Sequence, residues 1–385
     1  MHLKKILVFY DHFYPAWKAG GPVQSIANLV RLLGGGYQFF IVCKPHEMGE
    51  HTPLAGIMAN EWNNWEGMAS VYYRTYSNGA RQPLAALIDA VAPDVIFING
   101  LFSLHFNLLP LRAALNYAGK HQRVKVIVSA RGMLHPGALS QKPLKKQLFL
   151  QLFKLLGWHR KVCWHATDTE ELGYIHQVFG TAIRGGVAGN FPNLLPCAAH
   201  PAKQPGQLVM ATIALVSPMK NHLLVLKALQ RVKARVQWYI YGPLKDPDYW
   251  QQCTSVIRQL PAHIQVVYQG PVEPSQVQQV MQQFQLFIMP SKSENFGHAL
   301  LEALSAGKPV ITTTTTPFAA LNAAGAGIAI APEALPQQLS DAIEQYAAMD
   351  AAGWQDATAR ATAFASDFVD TALLQQQYNA LFETH

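Results

Sequence analysis

The sequence predicts an α/β protein built from two domains with parallel sheets, and three observations carry that expectation. Short apolar runs alternate with longer amphipathic stretches along the chain, the rhythm of β-α units wound on a parallel sheet. The rhythm is interrupted at residues 194–206 (LLPCAAHPAKQPG), where three prolines, a glycine and little periodicity mark a linker. Half of the 385 residues are hydrophobic and the mean hydropathy is +0.06, enough to fill two cores and too much for a disordered chain.

In the first half, strands are expected at residues 5–10, 37–43, 71–73, 95–99, 124–129 and 163–166, runs rich in β-branched and aromatic residues. Helices separate them, as at 23–33 and 83–90. The second half repeats the pattern, with strands at 209–215, 237–241, 265–268, 286–289 and 309–313. Helices are expected there at 222–232, 274–283 and 297–306, and residues 371–382 form a final amphipathic helix. Two such domains grip a ligand at the carboxyl ends of their strands. A dinucleotide site would need G-x-G-x-x-G at a strand-to-helix turn and a P-loop would need G-x-x-x-x-G-K-[ST]; the sequence contains neither.

Composition narrows the setting. Cys43, Cys163, Cys197 and Cys253 stand far apart without C-x-x-C spacing, so a reducing compartment is expected in place of a disulfide or zinc scaffold. MHLKK runs straight into ILVFY without a signal-peptide core, and the uncharged stretch between Lys308 and Glu333 is broken by five threonines and three prolines. A cytoplasmic chain without a membrane span is therefore expected. Residues 1–195 hold 19 Lys and Arg against 10 Asp and Glu, a net of +9, while the remainder holds 11 against 13, a net of −2. Anionic partners are to be sought in the first half, and nothing points to nucleic acid.

The most informative segment is 291–313, SKSENFGHALLEALSAGKPVITT. It follows a buried strand, turns at Pro290, carries Glu294 in the loop and opens a helix around Gly297. The N–H groups and positive dipole end of that helix suit a diphosphate, and Gly297 permits close approach. Glu302, eight residues after Glu294, is placed to accept hydrogen bonds from neutral hydroxyls such as those of ribose. Lys220 lies at the start of another helix, where the dipole disfavours a cation, so a bound anion explains it better than a surface lysine does.

Glu294-x7-Glu302, followed by Ala303 to Ile311 (ALSAGKPVI), resembles the E-x7-E signature of retaining glycosyltransferases of sequence family four. The resemblance extends over nearly the whole chain, through residues 14–33, Asn190, Gly242-Pro243, Gly270-Pro271-Val272 and 325–332. It implies the GT-B fold: two Rossmann-like domains with parallel sheets facing a central cleft, here an acceptor-binding domain at 1–195 and a donor-binding domain at 205–370. The terminal helix, within 371–385, would return to the first domain. It implies a nucleoside diphosphate sugar as co-substrate, no cofactor and no metal. By the same resemblance, Asn295, Phe296 and Gly297 hold the donor sugar and phosphate, Glu302 takes the ribose, and Glu294 faces the sugar as an orienting and electrostatic residue. Ser217 and Lys220 would hold the diphosphate, and Gly20 and Gly21 would touch it or the acceptor when the domains close; a plain structural turn at Gly20-Gly21 is the competing reading. Lys18 is expected to be a further anion contact.

Two departures from the family pattern matter. Leu215 stands where members carry a diphosphate-binding Arg, and Ser217, Asn221 or a basic residue of the other domain would have to compensate. In 126–139 (VIVSARGMLHPGAL), Arg131 stands near the position of a His that contacts sugar and leaving phosphate. A guanidinium can stabilise phosphate and cannot act as a base; His135 is the titratable neighbour.

Residues 141–161, QKPLKKQLFLQLFKLLGWHRK, read as a basic amphipathic helix. Lys142, Lys145, Lys146, Lys154, Arg160 and Lys161 supply six cations with no acid among them. An anionic membrane surface with a lipid-diphosphate-saccharide acceptor suits it, and so does a helix packed on the core with its lysines in water. The expectation is a metal-independent glycosyltransferase of surface polysaccharide assembly (lipopolysaccharide O-antigen, capsule or exopolysaccharide), cytoplasmic or peripheral on the inner membrane face. A nucleotide-sugar epimerase on the same fold and a non-catalytic partner subunit are the alternatives, the second kept open by Leu215.

Overall fold

The computed structural model describes residues 3–75, 82–140, 143–197, 199, 201–333 and 336–383. The chain forms two units, Met1–Phe191 with Asp370–His385, and Pro192–Val369. Among the described residues the first holds eight strands: β1 (Lys4–Phe9), β2 (Tyr37–Cys43), β3 (Trp62–Trp65), β4 (Ala69–Tyr73), β5 (Val95–Asn99), β6 (Lys125–Ser129), β7 (Cys163–Ala166) and β8 (Arg184–Val187). Their order is β3-β4-β2-β1-β5-β6-β7-β8, parallel throughout except for the β3–β4 hairpin. Ile6 to Phe9 and all of β5 are buried, the continuous apolar reading of a strand covered on both faces.

The terminal helix Thr371–Phe382 belongs to this unit. Asp370 caps it by accepting from Leu373 N–H at 2.9 Å. Its buried Tyr378 stacks on Phe191 with centroids 5.3 Å apart, and Phe382 lies edge-on to Phe97.

The second unit holds β9 (Gln207–Ile213), β10 (Arg235–Tyr241), β11 (Ile264–Gly270), β12 (Leu286–Ile288), β13 (Val310–Thr313) and β14 (Gly327–Ile330). All pairings are parallel, in the order β11-β10-β9-β12-β13-β14. The order reverses between β9 and β12, the switch point at which sheets of this kind open a crevice outside their strand ends.

Several boundaries depart from expectation. The basic helix is not continuous over 141–161: it runs Pro143–Leu155, breaks at Gly157 (φ +65) and resumes as a turn, Trp158–Lys161. Residues 141 and 142 lie outside the described residues. The expected helix at 274–283 is a tight turn, Pro274–Gln276, followed by Val277–Met281. No helix among the described residues is long and apolar enough to cross a membrane.

Candidate active site

The loops leaving β9 and β12 carry the residues singled out by sequence, and backbone hydrogen bonds stitch them together. Lys292 N–H donates to the Met219 carbonyl at 2.9 Å. Ala214 N–H reaches Tyr241 C=O and Val216 N–H reaches Pro243 C=O, each at 2.9 Å, tying the first loop to the end of β10. Gly242 makes that approach feasible. Its φ is +140, and a Cβ there would stand 1.8 Å from the Ala214 carbonyl oxygen.

The stitching sets Lys220 Nζ 2.5 Å from Glu294 Oε1, with the two side chains 20% and 11% exposed. Sequence reasoning assigns these residues to separate parts of a ligand; the structure makes them each other's counter-ion. Ser217 shapes the same loop by accepting Lys220 N–H on its carbonyl at 3.1 Å. Leu215 is half-buried in it. Beside the pair, a cavity of about 350 Å³ is lined by Pro218, Asn221, Asp246 and Lys292 among others.

Helix His298–Ser305 follows Gly297, whose φ of +76 turns the chain into it; a Cβ there would meet the Phe318 ring at 2.8 Å. Asn295 is exposed, and Phe296 is half-buried with its ring 4.5 Å from that of His298. Glu302 lies in the second turn, 7% exposed, and accepts from Asn193 Nδ2 at 2.9 Å. Leu195 N–H donates to Ser305 Oγ at 2.9 Å, so the segment entering this unit runs along the helix.

The sequence reading counts the five-threonine run only against a membrane span, yet these hydroxyls brace the site. Thr312 Oγ1 donates to Met289 C=O at 2.9 Å and Thr313 Oγ1 to Ser291 C=O at 2.5 Å, fixing the backbone just before Glu294. Thr212 does the same for Ile288 and accepts from the Trp238 indole. Hydroxyls packed at the ends of buried strands are the signal that would have revealed them. His222, two residues past Lys220 at the start of its helix, is held down to about 4, by burial first and then by the Lys220 charge, so it is neutral.

In the first unit, Gly20 (φ +75) caps helix Gly21–Leu33, with Pro22 in its first turn. The preceding loop is fastened from within: the buried Glu47 carboxylate accepts Trp17 N–H at 2.9 Å and Lys18 N–H at 3.1 Å. Lys18 Nζ pairs with Glu50 at 2.5 Å. His135 acts as a helix cap, its Nδ1 accepting Gly137 N–H at 3.0 Å.

Arg131 sits at φ +49 and donates to two neutral amide oxygens, Asn99 Oδ1 at 2.6 Å and Asn190 Oδ1 at 2.5 Å. Among the described residues it is in none of the ion pairs, so its charge is oriented without being neutralised. Its field helps push buried His165 down to about 3, burial being the larger cause. Elsewhere in this unit a cavity of about 390 Å³ is walled by Tyr14, Pro15, Ile57, Met58, Trp65 and Tyr73, with Tyr14 and Trp65 stacked.

A cation with an exchangeable carboxylate partner, next to a helix N-terminus and a buried acid, can bind a polyanion that also carries hydroxyls. Residues 199–356 match the family model described as glycosyl transferases group 1. No curated protein sequence matches the chain. Among solved structures, the fold is similar to a sucrose-phosphate synthase from Thermosynechococcus elongatus (TM-score 0.73, 14% identity, 98% of each chain covered). It is also similar to HepE from Anabaena in complex with UDP and glucose (0.68, 18%, covering 98% of this chain and 99% of that one). WaaG, a glycosyltransferase involved in lipopolysaccharide biosynthesis, matches at 0.63 and 13% identity, over 98% of this chain and 99% of that one. Residues 199–356 of the second unit therefore match the glycosyl transferases group 1 model, and the chain has the GT-B fold of the glycosyltransferase structures it resembles.

Proposed function

We propose that the enzyme transfers a sugar, with retention, from a nucleoside diphosphate sugar to a saccharide acceptor carried on a lipid, in the assembly of a surface polysaccharide. The observation that carries the reading is the Lys220–Glu294 pair at the switch point of the second sheet. A diphosphate displaces Glu294 as the counter-ion of Lys220, with Ser217 and the backbone of Asn295, Phe296 and Gly297 around it. Glu294, released, faces the donor sugar and stabilises charge as the glycosidic bond breaks. Glu302 accepts from the ribose hydroxyls. Within the first unit, the charge of Arg131 suits phosphate, the helix opening at Gly21 suits an anion while the Gly20 N–H is held by Trp17 C=O at 3.0 Å, and the aromatic wall at Tyr14 suits an acceptor sugar ring. HepE has been solved with UDP-glucose, which supports a nucleotide-sugar donor.

The reading needs no metal, since Lys220 and helix dipole supply the positive charge. Incubation with a panel of labelled nucleoside diphosphate sugars and lipid-linked saccharide tests it. Label moving to the lipid fraction with its anomeric configuration kept is the expected result; conversion to an epimer without nucleotide release overturns it.

A further inference from the structure

We propose that helix Pro143–Leu155 is an in-plane membrane anchor whose leucines enter an anionic bilayer. The observation is an unpartnered apolar stripe. Leu144, Leu148, Leu152 and Leu155 are 81%, 69%, 53% and 84% exposed, and Leu156 extends the row. At about 100° per residue they cover an arc of roughly 120° on the helix. The opposite side already has its partners: Leu150 and Phe153 are buried, and Phe149 packs edge-on against Phe102. The helix is thus held to its unit by one face and offers the other to a second apolar phase.

Charge selects the occupant. Residues 143–161 carry Lys145, Lys146, Lys154, Arg160 and Lys161 and no acid. Lys146 is committed inward, donating to Ala138 C=O at 2.5 Å and lying over the Phe102 ring. Lys145, Lys154, Arg160 and Lys161 remain exposed around the leucines. A second copy of this surface would bring like charges together with no acid to offset them, which disfavours self-association. An anionic lipid surface accepts both features, taking the leucines below the headgroups while the cations stay among the phosphates. This assigns the leucines the larger part, where the sequence alone draws attention to the six cations of 141–161.

The test is independent of transfer activity. Full-length protein is sedimented with vesicles of phosphatidylcholine alone or mixed equally with phosphatidylglycerol, beside variants with unchanged Tm. Leu144→Gln/Leu148→Gln/Leu152→Gln/Leu155→Gln removes the stripe, and Lys145→Gln/Lys154→Gln/Arg160→Gln/Lys161→Gln removes the charge. Leu373→Gln, an exposed leucine elsewhere, is the control. Wild type and the control should bind the anionic vesicles and leave the neutral ones largely in solution. The leucine variant should lose at least a hundredfold in partitioning, and the charge variant about tenfold together with its salt dependence. The proposal is overturned if wild type ignores anionic vesicles, if the leucine variant binds within twofold of wild type, or if the leucine substitutions instead abolish a dimer in solution.

Discussion

Glu294→Gln separates the two roles given to this carboxylate. The Lys220–Glu294 contact is closer and drier than a surface ion pair, with side chains 20% and 11% exposed. A fully exposed pair is worth about 0–1 kcal/mol and a hydrogen bond to a buried charged group about 1.5–3 kcal/mol. A value of about 1–2 kcal/mol is reasonable between them. That energy opposes diphosphate binding, because the ligand must displace Glu294 from Lys220. Removing the charge should therefore tighten UDP by roughly 5- to 30-fold, at 1.4 kcal/mol per tenfold. The same substitution should lower kcat about 100-fold or more, the usual loss when a preorganised electrostatic group is removed. Titration calorimetry with UDP on wild type, Glu294→Gln, Lys220→Gln and the double variant closes the thermodynamic cycle. Lys220→Gln should weaken UDP with or without Glu294. If Glu294→Gln weakens UDP as much as Lys220→Gln does, the carboxylate is part of the anion site and not its competitor, and the reasoning fails.

Three further outcomes follow from the same geometry. Gly242→Ala should cost more than about 4 kcal/mol in chemical denaturation or prevent folding, because a Cβ 1.8 Å from the Ala214 oxygen must push apart the loop that carries Lys220. His165 and His222 are held near 3 and 4 by burial, so both stay neutral in the folded state and titrate near 6.5 when unfolded. Stability contributed by each is present above about pH 6.5 and falls as pH drops toward the folded value, by up to about 1.4 kcal/mol per pH unit; NMR of the folded protein should show two ring signals unmoved between pH 8 and about 6. EDTA should leave transfer rates within twofold, and loss of activity restored by magnesium or manganese would refute the metal-free reading.

Much of the second unit was legible because its inner strands β12 and β13 are buried throughout and read as plain apolar runs, while edge strand β11 alternates in exposure. Three of the described strands escaped: the four-residue β14 (GIAI), and β3 and β8, whose residues speak against β structure. β3 is WNNW, closed into a hairpin by Glu66 and Gly67 at positive φ, and β8 is RGGV, held by its pairing with β7. The site residues 294–302 were legible because a motif fixes them to one loop and one helix. Their partners were not. Asn193 and Glu302 are brought together by the fold across 109 positions, and Lys220 and Glu294 across 74. Asn190 was singled out before the linker without a role; its amide oxygen orients Arg131. Spacing in sequence carries no trace of such contacts, since they depend on which strands neighbour each other.

The central claim is that the Lys220–Glu294 site binds a nucleoside diphosphate sugar and breaks its glycosidic bond. The most direct measurement is release of nucleoside diphosphate from a donor panel, with and without lipid-linked saccharide, for wild type and Glu294→Gln. Wild type should release nucleoside diphosphate from one donor in an acceptor-dependent way, and Glu294→Gln should bind that donor without release. Release that is equal in the two proteins, or a wild type that binds none of the donors, would contradict it.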